Sequence, residues 1–246
     1  MQCPFSRYIN GNLCACGKCE VCKDNKRRGY VVRLQIARQF YINTYFITLT
    51  FNEECYNDNR DYMIRAFQLF MKRLRKQNKI GHEFKYFSVL ERGELNHRFH
   101  WHMLLFTNLS CSKEEILQYI LDAWQNGICD VGYLRDGGIP YVCKYLFKDE
   151  YKMLISRGLG FQDYSQPEVL DAMTKRLIHI DGFNYAIPES IKSKMRRSNR
   201  ELYYGYFQEF KPEFEADKRY QLLTDNERMQ IYRQYLIDKE AQKQIK

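Results

Sequence analysis

"FHWHMLLF", residues 99–106, decides how the chain is read. Two histidines one residue apart lead straight into an apolar run, and with His97 they put three of the chain's five histidines inside six residues. The stretch has the alternation of a strand, in which successive side chains point to opposite faces. His100, His102, Leu104 and Phe106 then share one face, and Phe99, Trp101, Met103 and Leu105 the other. Two imidazoles side by side on a rigid strand make half of a metal site. His97 is out of phase with that face and reads as a loop histidine.

The neighbouring segments supply a sheet around it. "FKYFSVLERG" (84–93) reads as a strand that turns through "RGELNHR" into the histidine strand. "FITLTF" (46–51) is a short strand bounded by Asn43 and Thr44, and "ICDVGYL" is another. "RDYMIRAFQLFMKRLRKQNK" carries Met63, Phe67, Phe70, Met71 and Leu74 as one helical stripe. "SCSKEEILQYILDAWQNG" opens with a Ser112 to Glu115 capping box, and "IPYVCKYLFKDEYK" reads as a helix with Pro140 near its first turn. The order β–α–β–β–α–β–α predicts an α+β fold, a central antiparallel β-sheet with flanking helices. Upstream, "KDNKRRGYVVRLQIARQFY" (23–41) reads as a basic amphipathic helix with Val32, Ile36 and Phe40 at helical spacing. Downstream, "SQPEVLDAMTKRL" and "TDNERMQIYRQYLIDKEAQKQ" read as helices, the second opened by a Thr224 to Glu227 capping box. The expected organisation is a Cys-rich module over 1–23, the α+β domain over 24–155 and a basic, mostly helical C-terminal extension over 156–246.

The chain's net charge of +9, with 20 tyrosines and 16 phenylalanines, suits a nucleic-acid partner: cations for phosphates, rings for bases. No apolar run approaches the ~20 residues that span a bilayer, and "MQCPFSRYIN" has no signal-peptide core, so a cytoplasmic protein without a membrane partner is expected. No phosphate-binding G-x-x-x-x-G-K-[ST] loop occurs, which argues against a built-in helicase or ATPase.

Three constellations carry chemistry. The first is His100 and His102, completed by Glu91 at the end of the adjoining strand, with Glu94 in the turn as a rival. This mixed N/O set suits Mn2+, Mg2+ or Zn2+ and leaves positions open for a substrate oxygen. The second is "YVCKYLFK", in which Tyr141 and Tyr145 are four residues apart and Lys144 and Lys148 form a basic pair beside them. Tyrosine needs a nearby cation to act as a nucleophile, because its phenol ionises near pH 10. Among 20 tyrosines such a pair is common, and Tyr41/Tyr45 is another, so it gains meaning only beside the histidine strand. Together the two suggest phosphoryl transfer on single-stranded DNA: a tyrosine attacks a metal-polarised phosphate and leaves a 5′-phosphotyrosine and a 3′-OH. The third is Cys16-x-x-Cys19-x-x-Cys22 with Cys3 or Cys14, four thiolates for a structural Zn2+. An iron–sulfur run would need a cysteine at the position of Lys26. The run Lys192, Lys194, Arg196, Arg197 and Arg200 extends a DNA path or forms a solvated face.

In order, "FITLTF", "ERGELNHRFHWHMLLF" and "YVCKYLFK" resemble the three motifs of HUH endonucleases. More closely, the chain is similar to replication initiators of the Microviridae, the small single-stranded DNA bacteriophages, and in particular of their gokushovirus group. That family's early "CGKCEVC" and the basic helix after it are also here. The resemblance covers about residues 1–150. It implies metal binding by His100 and His102, Tyr141 and Tyr145 as nucleophiles with Lys144 assisting, and nicking at a viral origin in rolling-circle replication. It favours Cys3 with Cys16, Cys19 and Cys22 as the zinc set. It also implies DNA contacts by Arg27, Arg28, Lys148, Lys194, Arg196 and Arg197, host helicase and polymerase as partners, and the cytoplasm of a bacterial host. Phe99 departs from the family, which has a proline there. The competing expectations are a relaxase or single-strand transposase of the same superfamily and a non-catalytic zinc protein that binds nucleic acid. A metallo-β-lactamase-type site is disfavoured because Met103, Leu104 and Leu105 follow His102.

Overall fold

The computed structural model describes residues 3–9, 12–77, 84–94, 96–148, 151–161, 177–180, 183–198 and 224–244. Contacts divide the chain into two units: Arg27–Ser198, and Met1–Lys26 together with Asn199–Lys246.

In the larger unit, five antiparallel strands form one sheet in the order β6-β3-β5-β4-β7. These are β3 (Asn43–Phe51), β4 (Phe84–Arg92), β5 (Phe99–Thr107), β6 (Gly127–Tyr133) and β7 (Lys152–Ile155). The histidine strand β5 lies in the centre because it is apolar on both faces and both are covered. On one face Phe99, Trp101, Met103 and Leu105 pack under helices α2 (Arg60–Lys76) and α3 (Lys113–Trp124). The predicted α2 stripe is buried in full, and Trp101 stacks on Phe67 with ring centroids 4.3 Å apart. On the other face Leu104 and Phe106 pack with Val31, Leu34 and Ala37 of α1 (Glu20–Arg38) and with Ile139 and Val142 of α4 (Gly138–Cys143). Each such fully buried apolar side chain contributes about 1.5–3 kcal/mol. Caps set the helix starts: Asn59 accepts from the N–H groups of Asp61 and Tyr62 at α2, and Ser112 and Glu115 form the predicted capping box at α3. At Gly127 (φ +146°) a Cβ would lie 2.4 Å from the backbone of Thr50 and Asn52, so only glycine lets β6 start against β3.

The fold class is as expected, but three boundaries differ. β3 begins at Asn43 rather than Phe46: Asn43 pairs with Thr107, and its side-chain amide donates to the Leu109 carbonyl. With these polar groups satisfied, Asn-Thr need not stop a strand. α1 begins earlier, at Glu20, and ends at Arg38, so Phe40 lies in the following turn. The helix expected over 139–152 ends at Cys143 and continues as i→i+3 turns, Tyr145 N–H to Val142 O and Leu146 N–H to Cys143 O. Phe147 then turns left-handed (φ +72°), and the chain pairs Ile155 with Phe87 at the sheet edge, an edge-strand bond outweighing helical pattern.

Further along the larger unit, β8 (Leu177–Ile180) and β9 (Phe183–Ala186) form a two-stranded sheet before α5 (Glu189–Ser198). The helix expected over 165–177 lies outside the described residues, apart from Leu177 in β8. The smaller unit contains a β1 (Arg7–Ile9) and β2 (Asn12–Cys14) hairpin and α6 (Asp225–Gln244), opened by reciprocal Thr224–Glu227 hydrogen bonds. No described helix is long and apolar enough to cross a membrane.

Candidate active site

Register brings the first constellation together. Glu91 on β4 stands directly opposite His100 on β5, and Val89 opposite His102, so the carboxylate and both imidazoles project from one face of two adjacent strands. Their ligand atoms all lie within 4.8 Å of one another. Glu91 Oε1 is 2.8 Å from His100 Nε2 and 3.4 Å from His102 Nε2. Burial by itself would raise the Glu91 carboxyl, but hydrogen bonds from His100 and then His102 more than reverse it and hold it at about 2. Burial keeps His102 below the ordinary imidazole value, against the pull of Glu91, so it is a neutral donor of a lone pair at neutral pH.

Two buried polar atoms there, Glu91 Oε2 and His102 Nε2, have no hydrogen-bond partner. Uncompensated polar atoms in a buried site are costly, and these two face the space between the three side chains. A mixed N/O set with unsatisfied lone pairs fits a divalent cation. Glu94, the rival ligand, instead lies exposed and pairs with Lys148 at 2.8 Å. His97 is in the turn, as its phase predicts, with φ +48°.

The tyrosines stand against the same face. Tyr145 stacks on the His102 ring with centroids 4.8 Å apart and planes 15° off parallel, and Tyr141 meets Tyr145 edge-on at 5.3 Å. The i→i+3 turns keep the two rings adjacent although the helix has ended. They differ in access: Tyr141 is 43% exposed and Tyr145 only 4%. Burial, then a hydrogen bond with Tyr141, pushes the Tyr145 phenol well above its ordinary value. Lys144 Nζ lies 4.2 Å from the Tyr141 ring centre and 4.9 Å from that of Tyr145, and Lys148 Nζ is 5.0 Å from Tyr145 and 3.9 Å from Glu91 Oε2. A cleft of about 450 Å3 opens over these groups, lined among others by Glu91, His100, Tyr141, Lys144 and Tyr145.

Sequence reading missed the supports. Thr48 on β3 reaches His102 Nδ1 at 3.4 Å, and the Arg98 carbonyl lies 3.3 Å from His100 Nδ1. These outer contacts orient the rings. The alternation of Thr48 and Thr50 in "FITLTF" is the signal that could have revealed them. Gly93 is a second omission: a Cβ there would sit 3.1 Å from His100 Cε1.

The basic residues are more dispersed. Arg27 donates to the Leu146 carbonyl at 3.1 Å, bracing the tyrosine turn, while Arg28 is exposed on α1. Lys194 and Arg197 are exposed on α5, and the side chain of Arg196 lies outside the described residues, as does Arg200. In the smaller unit Cys3, Cys16, Cys19 and Cys22 bring their sulfurs within 4.8 Å of one another. Backbone N–H groups of Lys18 and then Cys19 pull the Cys16 thiol down to about 6.

The family model for the replication-associated protein ORF2 matches residues 44–150, from β3 through the tyrosine turn. The replication-associated protein ORF4 of Chlamydia phage 1 is 26% identical over 216 residues, 74% of this chain and 53% of that protein. The replication-associated protein VP4 of Bdellovibrio phage phiMH2K is 28% identical over 153 residues, 54% of this chain and 47% of that protein. The chain thus spans about half the length of the curated relatives it matches. A solved structure, the hypothetical protein ORF119 from Sulfolobus islandicus rod-shaped virus 1, is 23% identical with a TM-score of 0.32, covering 48% of this chain and 93% of that one.

Proposed function

We propose that this chain, a relative of phage replication-associated proteins, is a rolling-circle initiator that nicks and rejoins single-stranded DNA at a viral origin through a 5′-phosphotyrosine. The observation that carries the reading is the stacking of Tyr145, with Tyr141 beside it, on a histidine of the His100–His102–Glu91 cluster.

His100, His102 and Glu91 would hold Mg2+ or Mn2+, which supplies charge to polarise the scissile phosphate. The chain's own residues do the rest. Tyr141, the exposed member, meets the DNA first, and its phenolic oxygen attacks phosphorus in line. The P–O3′ bond breaks, the 3′ oxygen takes a proton from water, and the phenol proton leaves to solvent. Lys144, one residue from Tyr145 and above the Tyr141 ring, stabilises the phenolate as it forms. The new phosphotyrosine conserves the energy of the broken bond, so attack by a free 3′-OH reseals DNA without ATP. Tyr145, behind Tyr141, supplies a second nucleophile for the next junction while the first still holds its end. Exposed Arg28, Lys194 and Arg197 and the cleft lysine Lys148 would bind phosphates along the strand. Partners are then origin DNA and a host helicase and polymerase, in the cytoplasm of a bacterial host.

The test is covalent transfer. The protein is incubated with Mn2+ or Mg2+ and single-stranded oligonucleotides tiling the cognate origin, labelled 3′ of the nick. The expected result is a protein-linked labelled band, abolished by EDTA and by the Tyr141→Phe/Tyr145→Phe double variant. Tight DNA binding by folded protein with no adduct from any oligonucleotide would replace this reading with a non-catalytic nucleic-acid-binding protein.

A further inference from the structure

The smaller unit contains a second cluster of metal-ligating side chains that the strand-transfer reaction does not use. Cys3 Sγ is 3.8 Å from Cys19 Sγ, and Cys16 Sγ is 3.9 Å from Cys22 Sγ. A disulfide would hold its sulfurs at about 2.05 Å. Four sulfurs bonded at about 2.3 Å to one tetrahedral ion stand about 3.8 Å apart, so the two pairs have the length of opposite edges of such a tetrahedron. A four-iron cluster needs room for its own iron and sulfide atoms between the thiolates, which this spacing denies. The backbone treats the sulfurs as anions: N–H groups of Cys16, Lys18 and Cys19 point at Cys3 Sγ or Cys16 Sγ at 3.3–3.5 Å.

The residues flanking these cysteines all hold one helix. Phe5, two residues after Cys3, packs edge-on against Tyr232 of α6 with centroids 5.5 Å apart. Glu20, next to Cys19, binds Lys239 Nζ at 3.1 Å, and Asp24, two residues after Cys22, binds it at 3.0 Å and accepts from the Tyr235 hydroxyl. Tyr232, Tyr235, Leu236 and Lys239 are the part-buried positions of this stretch, and their spacing forms one stripe on a helix otherwise largely exposed. A helix with so little apolar surface depends on tertiary contacts for its order.

We propose that Cys3, Cys16, Cys19 and Cys22 bind one structural zinc ion, and that the zinc-folded module is the docking platform of the C-terminal helix Asp225–Gln244. Zinc removal would then release a helix nearly the whole chain away in sequence. This is independent of the tyrosine chemistry, and its test does not read DNA transfer.

Metal content of the purified 246-residue chain is measured by mass spectrometry, and hydrogen exchange is followed in residues 225–244 and in strand 99–107. One zinc per chain is expected, kept by His100→Ala/His102→Ala and lost from Cys19→Ser/Cys22→Ser. Stripping zinc with a strong chelator should speed exchange in 225–244 by on the order of tenfold or more, while strand 99–107 keeps its protection and so reports an intact larger unit. Tyr232→Ala/Lys239→Ala should keep the zinc and still lose protection of the helix, which covers the case in which the cysteine variant does not fold. Absence of zinc, iron in its place, zinc that leaves with His100 and His102, or a helix indifferent to zinc removal would each overturn the proposal.

Discussion

The chain carries two clusters of metal-ligating side chains, held by opposite means. Glu91, His100 and His102 sit on neighbouring strands in the middle of a sheet whose two faces are packed with aromatic and aliphatic side chains. Cys3, Cys16, Cys19 and Cys22 come from a turn, a loop and the first turn of a helix, beside a three-residue hairpin. Packing preorganises the first set, so its geometry survives without an ion; the second has little core beneath it and takes its shape from what it binds. A strand-borne site is suited to repeated chemistry, and a loop-borne site to holding chain segments together.

The contrast can be broken most forcefully at Trp101. Trp101→Ala should cost about 3–5 kcal/mol, read as a lower urea midpoint of the larger unit, while zinc content at the cysteines stays unchanged. Loss of zinc in this variant would mean that the two clusters are not independently held. Next in size is Glu91→Gln. It should weaken Mn2+ binding, followed by calorimetry, by more than the roughly 10–100-fold that outer contacts cost, and leave the fold intact by circular dichroism.

Acid provides a third test in chelated protein. Glu91 is held at about 2, below its ordinary 4.5, so its contribution to stability is complete above pH 4.5 and lost as pH falls through about 2. The urea midpoint should fall over that window in the parent chain and fall less in Glu91→Gln. Parallel curves would show that the carboxylate is not stabilised by the histidines.

Thr48→Val keeps the shape and removes the hydroxyl beside His102 Nδ1; about a tenfold loss of Mn2+ affinity is expected, with stability changed by no more than about 1 kcal/mol. The smallest effect belongs to Gly93→Ala, whose Cβ would press His100 at 3.1 Å. A shift of a few tenths of an ångström in that ring should cut strand transfer a few-fold while the urea midpoint stays put.

Much of this was legible in the linear chain. Alternation in "FHWHMLLF" sorted its side chains onto the two faces they occupy, because strand periodicity is a local property of the backbone. The α2 stripe and the Ser112 and Thr224 caps were equally readable, since each needs only residues within a turn or two. Glu91 could be matched to the histidines because a short turn joins their strands. What tertiary structure alone decided was non-local. The end of α4 at Cys143 follows from the pairing of β7 with β4, a contact no local pattern encodes. The unequal exposure of Tyr141 and Tyr145, identical residues in similar local sequence, follows from which of them lies against His102. The meeting of Lys239 with Glu20 and Asp24 links residues more than two hundred positions apart. Periodicity and caps are written in neighbours along the chain, whereas burial and pairing depend on neighbours in space, which exist only once the chain has folded.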